Sequence, residues 1–110
     1  MFIQIVNGIE SVHKSGYIHR DIKPSNFVFG RSDDETSKIF LIDFGLAKQH
    51  IDPKTDEPYP PKRRCDFRGT IPYASLTAHN KMDLSRKDDM WSFFYMLIEF
   101  LEGTLPWRKV

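Results

Sequence analysis

Two short stretches, His19-Arg20-Asp21-Ile22-Lys23-Pro24-Ser25-Asn26 and Asp43-Phe44-Gly45, hold the residues of this sequence best suited to chemistry. Asp21 can accept or orient the proton of a hydroxyl, and Lys23 brings a positive charge close by. Asn26 and Asp43 offer hard oxygen atoms of the kind that bind Mg²⁺. Such a set suits polyphosphate chemistry. Phosphoryl transfer asks a protein for little covalent work; it needs an oriented nucleophile, positive charge spread over phosphate oxygens and a held magnesium ion.

The chain between these residues must bring them together. Phe27-Val28-Phe29 and Ile39-Phe40-Leu41-Ile42 are short runs of β-branched and aromatic residues, and the polar stretch from Arg31 to Lys38 predicts a hairpin loop joining two antiparallel strands. Asn26 at the start of the first strand and Asp43 at the end of the second then become neighbours, as two ligands of one metal must be. Gly45 is expected to supply backbone freedom where the chain leaves the strand sharply.

The run from His19 to Asn26, with Asp43-Phe44-Gly45-Leu46-Ala47, resembles the catalytic and magnesium loops of eukaryotic protein kinases, and Lys23 resembles the serine/threonine type. Phe67-Arg68-Gly69-Thr70, Tyr73-Ala74-Ser75, Arg86-Lys87-Asp88-Asp89-Met90-Trp91-Ser92 and Leu105-Pro106-Trp107-Arg108-Lys109 are similar to the casein kinase group, most closely its tau-tubulin kinase branch. The resemblance covers essentially the whole chain. It implies an α+β fold over residues 1–110: a partial protein-kinase-like domain, mostly helical C-lobe, with a short β-hairpin carrying the catalytic loop (19–26) and the magnesium loop (43–45). An activation segment at about 46–77 and a central buried helix at about 86–102 complete it. The resemblance also implies transfer of the ATP γ-phosphate to Ser/Thr of a protein substrate. In the kinase template Asp21 is the base, Lys23 stabilises charge and contacts the nucleotide, and Asn26 and Asp43 hold Mg²⁺.

Phe2, Ile5, Ile9 and Val12 recur at roughly helical spacing, Glu10 and Lys14 form a favourable i,i+4 pair and Gly16 suits a C-terminal cap, so Met1 to about Gly16 is expected to be a helix. From about Lys48 to Arg68, four prolines among charged residues exclude a long helix or a central strand and predict a long surface loop. Its Lys62, Arg63, Arg64 and Arg68 have two readings, recognition of acidic or phosphorylated substrate and a plain solvated turn. By resemblance Thr70 bridges Asp21 and Lys23, though an ordinary turn threonine is the alternative. Pro72 stands where the casein kinase group usually carries an anion-binding arginine, and Ala74-Ser75-Leu76-Thr77 replaces the Ala-Pro-Glu of most kinases.

Ser85 with Asp88 approximates a capping box, and Gly103 and Pro106 mark a stop, which predicts a helix from Ser85 to about Gly103. Met90, Phe93, Phe94, Leu97, Ile98 and Leu101 are expected to line one face, with Trp91, Tyr95, Met96 and Phe100 extending apolar character around most of the circumference, the pattern of a buried helix. Asp89 matches a kinase aspartate that bonds back to the catalytic-loop backbone; a simple helix-start carboxylate is the alternative.

Composition sets outer bounds. A chain of 110 residues, 40% hydrophobic and 28% charged, has room for at most one small domain, and a net charge of +1 argues against bulk nucleic-acid binding. One cysteine, Cys65, excludes an internal disulfide framework, and the four histidines are scattered without zinc-ligand spacing. No signal-peptide order or bilayer-length apolar run is present, so a cytoplasmic protein without membrane or nucleic-acid partners is expected, with the nucleus open. The expected partners are ATP and a protein substrate. No glycine-rich nucleotide loop, strand lysine or paired glutamate precedes Met1, and the helices that wrap the central helix do not follow Val110, so the chain is expected to be the middle of a kinase domain with a large exposed apolar patch, inactive alone. Two alternatives remain: a truncated pseudokinase acting as an interaction module, and a small-molecule phosphotransferase sharing the Asp-Asn-Asp metal logic, against which Lys23, Thr70 and the resemblance through Trp107 weigh.

Overall fold

A computed structural model describes residues 1–30 and 38–109. The expected hairpin tip, 31–37, lies outside the described residues. Among the described residues, three α-helices run Phe2–Lys14 (α1), Leu76–His79 (α2) and Arg86–Glu102 (α3). In the same described residues, six short strands, Tyr17–Ile18 (β1), Phe27–Phe29 (β2), Ile39–Leu41 (β3), Lys48–Gln49 (β4), Ile51–Asp52 (β5) and Glu57–Pro58 (β6), form three antiparallel two-stranded ladders, β1 with β4, β2 with β3 and β5 with β6.

The first helix ends where its sequence says it should. Gly16 takes φ +90°, a left-handed conformation that turns the chain, and its N–H caps His13 O at 3.0 Å. Ile5 and Ile9 are its buried stripe, seated with Ile22, Tyr73, Met96 and Leu105 in the main core while α1 packs on β3. β2 and β3 pair as the residue types predict, with Phe27 opposite Leu41 and Phe29 opposite Ile39. A smaller cluster of Ile18, Ala78 and Leu84 holds β1 against α2.

The loop after Gly45 is more ordered than its prolines suggested. Two-residue ladders interrupt it at β4, β5 and β6, and Pro58, which has no N–H, takes part only at the exposed end of such a ladder. At the other end of the fold, Ser85 N–H donates to Asp88 Oδ2 at 2.8 Å and Gly103 closes α3 at φ +84°, so both predicted boundaries stand.

The burial of α3 corrects the expectation of a buried helix. Among its hydrophobic residues only Met96 is fully buried; Phe93, Tyr95 and Ile98 pack partly on the core, while Met90, Trp91, Phe94 and Phe100 are exposed and Leu101 is 71% exposed. The physical reason lies at the helix start. Asp88 and Asp89 are both buried, and their hydrogen bonds fix the rotation of the helix so that positions 89, 93 and 96, one helical face, look inward. Polar anchoring, not the widest apolar stripe, decides which face meets the core.

This division predicts unequal costs of truncation. Met96→Ala should lower unfolding free energy by about 2–4 kcal/mol, as for other filled core sites, whereas Leu101→Ala should change it by less than about 1 kcal/mol. Denaturant titration of both variants checks this.

Candidate active site

The site is assembled around one buried carboxylate. Asp89, 2% exposed at the start of α3, accepts from the backbone N–H of His19 (2.9 Å) and from His13 Nε2 (2.8 Å) on Oδ2, and from the backbone N–H of Arg20 (2.9 Å) on Oδ1. A buried charge is tolerable only when its lone pairs are filled in this way. The expected contact from Asp89 to the loop backbone is therefore present. The grip also holds Arg20 at φ +71°, a left-handed conformation that a non-glycine residue adopts only under constraint.

From that anchor the loop is stitched forward. His19, fully buried, accepts the Asp21 N–H on Nδ1 (3.1 Å), which leaves the proton on Nε2 to donate to Ile42 O (3.0 Å). The Ile42 N–H in turn donates to Asn26 O at 2.8 Å. A single residue just past β3, Ile42, thus ties His19 through its carbonyl and Asn26 through its N–H to the chain entering Asp43. The His19 ring also stands edge-on to Phe44, 5.0 Å between centroids. His19 therefore orients the loop and touches no reacting group.

Asp21, Lys23 and Thr70 form a closed triangle. Thr70 Oγ1 donates to Asp21 Oδ1 (2.7 Å) and accepts from Lys23 Nζ (2.9 Å), while Lys23 Nζ lies 3.7 Å from Asp21 Oδ2. The bridging threonine was expected by resemblance; an ordinary turn threonine would not make both bonds. Asn26, buried in the 3₁₀ turn Pro24–Asn26, donates from Nδ2 to Asp21 O at 2.8 Å, and that bond fixes the orientation of its side-chain oxygen. Asp43 is exposed, and here the sequence reading needs correction. The sharp exit from β3 is made by Asp43 itself, at φ +60°, not by Gly45, which has no positive φ. Gly45 serves closeness instead: its N–H donates to Asp43 Oδ1 at 3.2 Å, and a Cβ there would stand 3.2 Å from the same oxygen.

Beside the triangle lies a basic cleft of about 460 Å³. Lys62, Arg64 and Arg68, singled out by charge, line it together with Arg20, Lys48 and Lys81, which were not; Arg63 does not. Burial lowers the Arg20 pKa from its ordinary value, and the neighbouring Arg68 lowers it further. Arg20 Nε is held by Leu46 O at 2.6 Å. Asp83 organises one wall, accepting from Lys48 Nζ at 3.2 and 3.3 Å and from the Lys62 N–H at 2.9 Å. Spacing gave no signal for Asp83, Lys48 or His13, because each reaches the site from a distant part of the chain.

Compared with known proteins, the protein kinase domain profile matches residues 1–110. The chain belongs to the protein kinase family. Over 108 residues it is 47% identical to a probable serine/threonine-protein kinase of Dictyostelium discoideum, a match that covers 98% of this chain and 22% of that relative. The chain therefore spans about a fifth of the curated relative it matches. Kinase membership accounts for the two loops that meet at Ile42, and the kinase motif residues Asp21, Lys23 and Asn26 are joined by direct hydrogen bonds or through Thr70.

The acid response of the cleft wall follows from Asp83. Burial raises its pKa, but the Lys62 N–H and the Lys48 ammonium outweigh burial and hold it below its usual 3.8. A lowered folded-state pKa stabilises the fold above the unfolded value and loses that contribution as pH falls through the folded one. The stability difference between wild type and Asp83→Asn should be steady down to about pH 4 and shrink at lower pH, as read by denaturant unfolding at each pH.

Proposed function

We propose that this chain is the catalytic core of a serine/threonine protein kinase that transfers the γ-phosphoryl group of ATP to a serine or threonine hydroxyl of a protein, in the casein kinase group and nearest its tau-tubulin kinase branch. The observation that carries this reading is the Thr70 hydroxyl joining Asp21 and Lys23, 2.7 and 2.9 Å from their charged groups. It holds a proton acceptor and a cation side by side, as transfer to a neutral hydroxyl requires.

Asp21 orients the acceptor hydroxyl and takes its proton as the oxygen becomes a nucleophile. Lys23 offers its ammonium to the phosphoryl oxygens, and the Thr70 bridge keeps it from collapsing fully onto Asp21, since the two charged groups stand 3.7 Å apart. Asn26 and Asp43 would hold Mg²⁺. Their fit rests on donor chemistry and placement: an amide oxygen oriented by its own nitrogen, and a carboxylate at the far side of the Asn26–Ile42 backbone bond. Two protein oxygens leave most of an octahedral shell to phosphate and water, the usual arrangement for this ion. When bound, Mg²⁺ draws charge from the phosphate oxygens. The basic cleft beside the triangle supports an acidic or phosphorylated stretch in the substrate, with Lys62, Arg64 and Arg68 supplying charge that Pro72 cannot.

Asp43→Asn in the full-length protein should abolish Mg²⁺-dependent phosphorylation of dephosphorylated casein by radiolabelled ATP, with the circular dichroism spectrum and melting temperature kept, because Asp43 is exposed and asparagine tolerates the same positive φ and can accept the same Gly45 N–H. Wild-type turnover that survives this substitution would count against the metal role.

A further inference from the structure

The turn that carries Thr70 is itself held from behind. Thr70 opens the 3₁₀ turn Ile71–Tyr73, closed by Tyr73 N–H to Thr70 O at 3.0 Å. The Tyr73 ring is buried in the main core with Ile22, Met96 and Leu105. Its hydroxyl donates to Glu99 Oε1 and accepts from Arg108 Nη2 at 2.7 Å. Arg108 also spans the Glu99 carboxylate, Nε to Oε2 at 2.8 Å and Nη2 to Oε1 at 3.3 Å, with its guanidinium 5.3 Å from the Tyr73 ring centroid. One residue earlier, Trp107 Nε1–H donates to Pro72 O at 2.8 Å, with its ring edge-on to Tyr95. The 105–109 segment therefore grips two consecutive residues of the turn, Pro72 by its carbonyl and Tyr73 by its hydroxyl.

We propose that Arg108 is a positioning residue for phosphoryl transfer: it clamps Tyr73 through Glu99, and so sets where the Thr70 hydroxyl meets Asp21 and Lys23. The proposal rests on the kinase reading above. Arg108 touches none of the reacting groups, and its effect travels through the turn. Its side chain is 40% exposed, so as an ion pair alone it would contribute little to stability. The geometry gives it a second task. Two nitrogens of one planar group meet both Glu99 oxygens and the phenol at once, which a lysine ammonium, a single point of charge, cannot reproduce. The charges agree with this arrangement: hydrogen bonds from Arg108 and then Tyr73 hold the Glu99 carboxyl below its ordinary pKa, and burial followed by Glu99 raises that of the Tyr73 phenol.

The test uses the full-length protein with Arg108→Ala, Arg108→Lys and Tyr73→Phe, the last keeping the buried ring and removing only the hydroxyl. Two readouts are taken: kcat and KM for ATP with dephosphorylated casein, and the NMR signal of the Trp107 indole N–H, assigned by its loss in Trp107→Phe. Arg108→Ala should lower kcat about ten- to a hundredfold with KM for ATP within about twofold, the pattern of misplaced catalytic groups. Arg108→Lys should fall between wild type and Arg108→Ala, and Arg108→Ala combined with Tyr73→Phe should be no slower than the slower single variant, because both act through one clamp. The indole signal should shift in Arg108→Ala. An unmoved indole signal, a kcat within about twofold of wild type, or losses that multiply in the double variant would each overturn the proposal. A fall in kcat that only matches the loss of folded protein would do the same. Wild type lacking Mg²⁺- and ATP-dependent turnover, with its indole signal in place, would instead sink the kinase reading on which the proposal rests.

Discussion

The carboxylate of Asp89 is the constraint on which the rest of the site depends. Three donors converge on its two oxygens, two of them backbone N–H groups of adjacent loop residues. A buried charge left with even one empty position costs on the order of 1–3 kcal/mol or more, so the loop cannot drift without exposing or starving it. From this point the chain has little freedom. Arg20 is forced into a left-handed conformation, Asp21 turns its N–H to His19, and Asn26 hangs from Asp21 O. The helix that carries Asp89 is thereby fixed in rotation as well as in place, and the loop and the core become one unit.

A second constraint closes the site from the opposite side. The segment after the basic cleft reaches the triangle only through Thr70, and it is held by the Tyr73–Glu99–Arg108 contacts and by Trp107 on Pro72. Asp89 and Glu99 both belong to α3, so one helix supports the loop bearing Asp21 and the turn bearing the Thr70 hydroxyl. The exposed apolar face of the same helix, with Trp91, Phe94 and Leu101, takes no part in this support.

Much of this was legible in the sequence wherever spacing is local. The caps at Gly16 and Gly103 and the pairing of Phe27–Phe29 with Ile39–Leu41 follow from residue type and short-range periodicity, whereas the Thr70 bridge to Lys23 and Asp21, far away in sequence, was expected only by resemblance to protein kinases. The inward face of α3 did not follow, because an apolar stripe on a helix that is apolar nearly all round has no single direction, and the choice was made by Asp88 and Asp89 bonding to Ser75 and the loop. His13 and Asp83 were silent for a related reason: each acts on a partner far away in sequence, and neither sits in a pattern that marks it. At Asp43 and Gly45 the sequence named the right pair and assigned the bend to the wrong member, since an aspartate can also take positive φ when its carboxylate accepts from the residue two ahead.

Amide hydrogen exchange at His19 and Arg20, in wild type and in Asp89→Asn, tests most directly whether the buried carboxylate holds the loop. The amide side chain keeps the shape but turns an N–H₂ toward donors that need an acceptor. The two amides should be protected in wild type and exchange about tenfold faster or more in the variant, while those in the middle of α3 keep their rates. Equal exchange at His19 and Arg20 in the two proteins, or fast exchange of both already in wild type, would contradict the claim that Asp89 positions the site.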